Sequence, residues 1–178
     1  MTLTNAIGII WGAFAVIWLI AALGAKHGSR PGRLRPPFLA VVIAVVLLRA
    51  FNIHTLAVHA LGLEVVGVIL LVAGIAFAIW ARIYLGRNWG MPMTKKDEPE
   101  LVTSGPYRFV RHPIYSGLLL AILGTALATN IFWLIALAVM GLYFVYSARV
   151  EERLMMTSFP DVYPRYRANT KMLIPFLL

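Results

Sequence analysis

From His112 to Ala148 the chain carries no Asp, Glu, Lys or Arg, an uninterrupted run of 37 residues. As a single helix it would extend about 55 Å against a hydrocarbon core of about 30 Å. Such a run has to fold back on itself. Thr129-Asn130 is the polar pair near its middle, so the run is read as a helical hairpin, Ile114–Ala128 followed by Ile131–Ala148. Composition points the same way, with 61% hydrophobic and 13% charged residues, against roughly 45–50% and 25% in a soluble domain. The chain is read as an all-α integral membrane protein. Cysteine is absent, which excludes disulfides, thiolate metal sites and a cysteine nucleophile.

Three further spans precede the hairpin. Asn5 to Ala25 is 21 residues without charge, close to the roughly 20 needed to cross a bilayer. Positive charge follows this segment rather than preceding it, so it is expected to be a retained span and not a signal peptide. Gly28, Pro31, Gly32, Pro36 and Pro37 make residues 26–37 a short loop. A second apolar run starts at Phe38 and is interrupted by Arg49, Asn52, His54 and His59. An arginine inside a span ordinarily faces a partner or a cavity, so Arg49 is a candidate functional residue, with pairing to Glu64 the plainer alternative. His54 and His59 are five apart and do not share a helix face as an i, i+4 metal pair would; no metal site is expected. The third span covers Val65 to Ala81 and ends at Arg82. Five spans result, in one domain of 178 residues, with 1–81 as three N-terminal spans and 82–178 as the remainder.

The net charge of +9 would suggest nucleic acid in a soluble protein. Here the basic residues flank apolar spans, where orientation and anionic membrane lipids account for them, and no nucleic acid partner is expected. Residues 26–37 hold four Lys/Arg, residues 86–112 hold five, and the tail from Arg149 holds five. With five spans, all fourteen fall on one side and none of the sixteen in the chain lies in a loop on the other. That bias predicts an outside N-terminus and a cytoplasmic C-terminal tail.

Chemistry concentrates in Leu101-Val102-Thr103-Ser104-Gly105-Pro106-Tyr107-Arg108-Phe109-Val110-Arg111-His112-Pro113, at the end of the longest polar segment, 86–112. Gly105-Pro106 reads as a turn. Pro113 suits the first position of a helix, where a missing N–H costs nothing. Arg111, His112 and the positive end of that helix together favour an anionic group. The plainer alternative is a basic loop that only orients the protein. Glu151-Glu152 follow the hairpin on the same side as His112, so the two motifs can meet and would suit a ligand of mixed charge. Exposed Arg–Glu pairs are the plainer reading of that cluster. Trp89 reads as an interfacial anchor, and Tyr163, Tyr166, Met172, Ile174 and Phe176 read as an amphipathic helix lying on the membrane. Gly67, Gly74, Gly117, Gly124 and Gly141 read as sites of close helix contact.

Leu101-Val102-Thr103-Ser104-Gly105-Pro106-Tyr107, Arg111-His112-Pro113 with Tyr115 and Gly117, Glu151-Glu152, Phe159, Tyr163, Tyr166 and Pro175 resemble the isoprenylcysteine carboxyl methyltransferases and their phospholipid methyltransferase relatives. The resemblance covers roughly Arg82 to the C-terminus. It implies a membrane enzyme that uses S-adenosylmethionine on the cytosolic side and methylates a lipophilic or lipidated acceptor, a prenylcysteine carboxyl, a phospholipid amine or a thiol. A membrane lipid-binding or assembly protein that keeps the fold without the chemistry is the alternative of another class. Carried over by position, Leu101, Val102, Tyr107, His112, Pro113, Tyr115, Glu151 and Glu152 are the implied cofactor-binding residues. Arg111 and Arg149 are the candidates to orient an acceptor carboxylate, which requires no catalytic base. An amine acceptor would require one, with Glu152 or His112 nearest. Family members often have a histidine two residues before the Leu-Val pair, where this chain has Pro99.

Overall fold

The computed structural model describes residues 2–24, 28–29, 57–90, 95–96 and 99–175. Within these, α1 is Leu3–Ala22, α2 Leu61–Leu85, α3 Pro113–Ala128, α4 Trp133–Ser158 and α5 Tyr163–Asn169. A two-residue antiparallel pair, Gly28–Ser29 with Lys95–Lys96, is the only ladder among the described residues. The helices α1, α2 and α4 are long and apolar enough to cross a membrane, and α3 is a shorter apolar helix of 16 residues. The chain is an integral membrane protein with four of its five expected spans in view. The second span, with Arg49 and His54, lies outside the described residues.

The hairpin forms where the sequence turns polar. Proline occupies the first turn of α3, as its missing N–H allows. At the far end, Thr129 Oγ1 donates to Thr125 O at 2.7 Å and the Phe132 N–H donates to Asn130 Oδ1 at 2.8 Å, so the polar pair satisfies the backbone that the turn frees. Val58 N–H donates to Thr129 O at 3.0 Å, placing the start of α2 beside that turn. α2 and α3 then run antiparallel through a seam of small residues. A Cβ built on Gly74 would lie 2.5 Å from Ala121 N and from Gly117 O, and one on Gly124 would lie 2.3 Å from Leu71 N. Gly67 and Gly117 are equally close-packed, whereas a Cβ on Gly141 would meet only Leu119 at 4.0 Å. Four of the five expected contact glycines therefore let backbones touch, and Gly141 does not.

α1 lies along the same pair. Ile7 and Phe14 are its buried residues and join Leu71, Ile75, Ala78, Ala121 and Ala128 in one apolar cluster. Trp11 Nε1 donates to Thr125 Oγ1 at 3.0 Å, and Arg82 in the last turn of α2 donates to Ala21 O at 2.5 Å. The C-terminal ends of α1 and α2 thus share one end of the bundle, with the start of α3.

Two expectations change. α4 does not stop at Ala148 but runs to Ser158; residues 149–158 contain neither Gly nor Pro, and the helix yields only at Phe159, which precedes Pro160. The tail is not an amphipathic helix on the membrane. α5 is seven residues, Tyr163 is buried, and Met172 and Leu173 pack into the core beside Tyr107, Tyr115 and Phe144. What draws the tail inward is backbone pairing, because Arg111 N–H donates to Lys171 O at 2.8 Å and His112 N–H to Met172 O at 3.0 Å.

Candidate functional site

At the end of the bundle shared by the C-termini of α1 and α2, a cavity of about 260 Å³ opens between α1, α2, the 99–112 segment, α3, α4 and α5. The turn Gly105–Arg108 builds one wall. Gly105 has φ +58°, and a Cβ there would lie 2.4 Å from the Tyr84 ring, so no other residue fits. Pro106 follows, buried, and Tyr107 is held facing inward. Its carbonyl accepts from Tyr166 Oη at 2.6 Å, which ties α5 to the turn. Burial pushes the Tyr107 hydroxyl well above the ordinary tyrosine range, helped by Tyr166 and Glu151, so it stays neutral.

The second wall is a stack of three rings. His112 lies parallel to Tyr115 with centroids 5.5 Å apart, and Tyr115 lies parallel to Phe144 at 4.4 Å. Tyr115 is three residues beyond His112, the spacing that places side chains on one helix face. Tyr115 Oη donates to Glu151 Oε1 at 2.5 Å, so the carboxylate at the cavity edge is fixed by the stack.

Adjacent carboxylates take different jobs. Glu151 lines the cavity. Glu152 does not; it is 5% exposed and faces the tail. Its Oε1 accepts from Arg111 Nε at 2.6 Å, and its Oε2 lies 3.3 Å from Arg167 Nε. Arg111 Nη1 also donates to the carbonyls of Arg167, at 3.1 Å, and Thr170. The arginine joins α4, the 99–112 segment and the tail. His112 sits between the two carboxylates, Nδ1 3.4 Å from Glu151 Oε2 and Nε2 3.4 Å from Glu152 Oε1. Burial alone would depress its pKa, but the two carboxylates outweigh burial and raise it.

The structure brings Leu101, Val102, Tyr107, Arg111, His112, Tyr115 and Glu151 to the cavity. It does not bring Pro113, the fully buried first residue of α3, or Glu152. Arg149 is exposed on α4 and away from the cavity. Arg111 reaches the wall with Nε and Nη1 already engaged, so its geometry is that of a brace rather than a ligand clamp. Among the residues outside the expected set, Trp18, Trp89, Glu100, Met155, Tyr163 and Tyr166 also line the cavity. Trp89 is 8% exposed and is a wall residue rather than an interfacial anchor. Met155 was legible, one helical turn beyond Glu151 on the same face; Trp18 had no local signal.

Comparison with known proteins fits this geometry. Residues 63–162 match the family model for phospholipid methyltransferase. A cobalt-zinc-cadmium resistance protein of Cupriavidus metallidurans is 33% identical over 96 residues, 52% of this chain and 44% of that protein. Protein-S-isoprenylcysteine O-methyltransferase of Schizosaccharomyces pombe is 35% identical over 101 residues, 54% of this chain and 43% of that one. This chain thus spans less than half the length of either relative. A solved structure of a eukaryotic intramembrane Ras methyltransferase, isoprenylcysteine carboxyl methyltransferase, superposes with a TM-score of 0.60 at 21% identity, covering 82% of this chain and 54% of that one. That likeness extends the shared fold beyond the matched segment. With 100 of 178 residues inside the family match, running from the third residue of α2 to the residue before α5, the chain belongs to the phospholipid methyltransferase family.

Proposed function

We propose that the protein is an S-adenosylmethionine-dependent methyltransferase whose acceptor is a lipophilic molecule of the membrane, with residues 82–178 as the cofactor-binding part and Trp18 of the N-terminal spans completing the wall. The observation that carries this reading is the convergence of Glu151, His112 and Tyr115 in a cavity whose remaining lining is largely aromatic and apolar. The donor set fits the cofactor. Glu151 is placed to accept hydrogen bonds from ribose hydroxyls or an ammonium, the ring stack offers a flat apolar face, and Trp18, Leu85, Leu118 and Phe144 keep water out. When bound, the cofactor supplies an activated methyl group on a sulfonium. The residues of the chain bind, orient and desolvate.

The resemblance to isoprenylcysteine carboxyl methyltransferases favours a carboxylate acceptor of the prenylcysteine type. One feature favours a second reading, a phospholipid amine or a thiol. Neither arginine expected to hold an acceptor carboxylate is placed for it, since Arg149 faces away and Arg111 is engaged by Glu152 and the tail carbonyls. Glu151 or His112 would then accept the proton that such an acceptor releases. Incubation of the purified protein with methyl-tritiated S-adenosylmethionine and a membrane lipid extract separates the readings. Label released as methanol by mild base marks a carboxyl ester, base-stable label marks an amine or thioether, and absence of organic-phase label counts against both.

The orientation belongs to the same proposal. All fourteen loop and tail Lys/Arg lie at the end that holds the cavity in the five-span reading, which puts cavity and C-terminus in the cytoplasm and the N-terminus outside. A reporter fused after Leu178 is expected to be active on the cytoplasmic face, and activity confined to the outer face would reverse the assignment.

A further inference from the structure

Arg82 is a charged residue buried at 8% exposure in the last turn of a membrane-spanning helix, a costly placement that calls for a use. It does not line the cavity. Its Nη1 donates to Gly86 O at 2.6 Å and its Nη2 to Ala21 O at 2.5 Å, so one planar group caps carbonyls at the C-terminal ends of two helices, where the dipoles favour a cation. The guanidinium carbon also lies 4.8 Å from the centroid of the Trp89 ring. Trp89 in turn receives Trp18 edge-on, with centroids 5.6 Å apart and planes at 89°. Both indoles line the cavity. Trp18 is carried by the helix that ends at the Ala21–Ala22 carbonyls, and Trp89 follows the turn that contains Gly86. Among the described residues, the two carbonyls that Arg82 caps and the ring it covers each adjoin one of these two indoles.

We infer that Arg82 is a positioning residue for ligand binding, clamping the C-terminal ends of α1 and α2 so that Trp18 and Trp89 stand as a rigid wall of the cavity that the His112–Tyr115–Phe144 stack also lines. Its role is to hold the cavity open and dry. Lysine cannot replace it fully, because one ammonium cannot reach two carbonyls in a plane and still cover the ring. The inference rests on the methyltransferase reading for the identity of the ligand, but not for the clamp.

The test uses the full-length protein in detergent and the variants Arg82→Met, Arg82→Lys and Trp89→Leu, with S-adenosylhomocysteine as the probe. Arg82→Met is expected to lower affinity by about tenfold at a temperature where it remains folded, with Arg82→Lys intermediate. A purely structural role would lower the melting temperature and leave affinity unchanged, and that result overturns the inference. Trp89→Leu keeps both carbonyl bonds and removes the wall, so it is expected to reproduce the affinity loss. Wild-type affinity in Trp89→Leu overturns the inference even if Arg82→Met fails to fold. Should the wild type not bind the probe, the methyltransferase reading fails separately, and the clamp is read by fluorescence. The emission of Trp89, isolated by difference from Trp89→Phe, is expected to move to longer wavelength in Arg82→Met, or in Arg82→Lys if only that variant folds, and an unchanged spectrum overturns the clamp.

Discussion

Replacing Gly124 by leucine is expected to pry α2 and α3 apart and cause the largest loss of stability of any single change in the bundle. The new Cβ would fall 2.3 Å from Leu71 N and 2.5 Å from Gly67 O. Both are backbone atoms, so no rotamer change relieves the clash and one helix has to move. Overpacking costs about 1–3 kcal/mol where side chains can yield, and more where they cannot. Gly74→Leu is expected to act alike, against Ala121 N and Gly117 O. Gly141→Ala is the control, since its Cβ would meet only Leu119 at an ordinary contact distance; it should lose no stability and can gain up to about 1 kcal/mol of helix propensity. Melting temperatures in one detergent decide the matter. Equal effects at Gly124 and Gly141 would mean that the seam is not where the helices touch.

Glu152→Ala is expected to be the most damaging change at the cavity end. It removes the carboxylate that Arg111, Arg167 and His112 share and leaves the nearly buried Arg111 guanidinium with carbonyl partners alone. Breaking a buried ion pair on one side costs about 3–5 kcal/mol, and Arg167 is half exposed, so the lower end is expected, or a melting temperature down by roughly 6–12 °C. Glu152→Gln should keep only part of the loss at bay, because it keeps an acceptor but no charge. Arg153→Gln, exposed on the same turn with its side chain donating to the Arg149 carbonyl, should move it little. The same network sets a pH dependence. His112 has a folded pKa raised above its unfolded value, so its protonation stabilises the folded state fully below the unfolded value near 6.5, and that contribution is lost as pH rises through the folded value. The wild type should therefore lose stability with rising pH across that window, and Glu152→Ala should flatten the slope. A steeper slope in the variant would contradict the assignment.

The contrast between Glu151 and Glu152 shows what the sequence could and could not say. That the pair would meet Arg111-His112 followed from charge-free length alone, because a run too long for one crossing returns its far end to the side where it began. Neighbouring helix positions differ by about 100° in direction, however, and which of the two faces the cavity depends on how α4 is rotated against α3. No local pattern encodes that rotation. The tail departs from its expected place for a related reason. Its aromatic and apolar spacing suits a membrane surface, but what draws it inward is pairing between the backbones of 171–172 and 111–112, and backbone groups leave no trace in residue identity. Trp18 and Trp89 are separated by two expected spans and the loops that join them, so their contact could only be seen in three dimensions. The glycine seam was legible as a set, and its one exception, Gly141, lies on α4, outside the α2–α3 contact that the other four make.

Whether the cavity bounded by Glu151, the His112 stack and the Trp18–Trp89 wall holds the cofactor is decided by calorimetry of the detergent-purified protein with S-adenosylhomocysteine. Saturable binding at one site per chain is expected, weakened roughly ten- to a hundredfold by Glu151→Gln with the melting temperature nearly unchanged, because a charge-assisted hydrogen bond in a partly desolvated site contributes about 1.5–3 kcal/mol. A folded wild-type protein that takes up no S-adenosylhomocysteine, or one whose affinity is indifferent to Glu151→Gln, would contradict it.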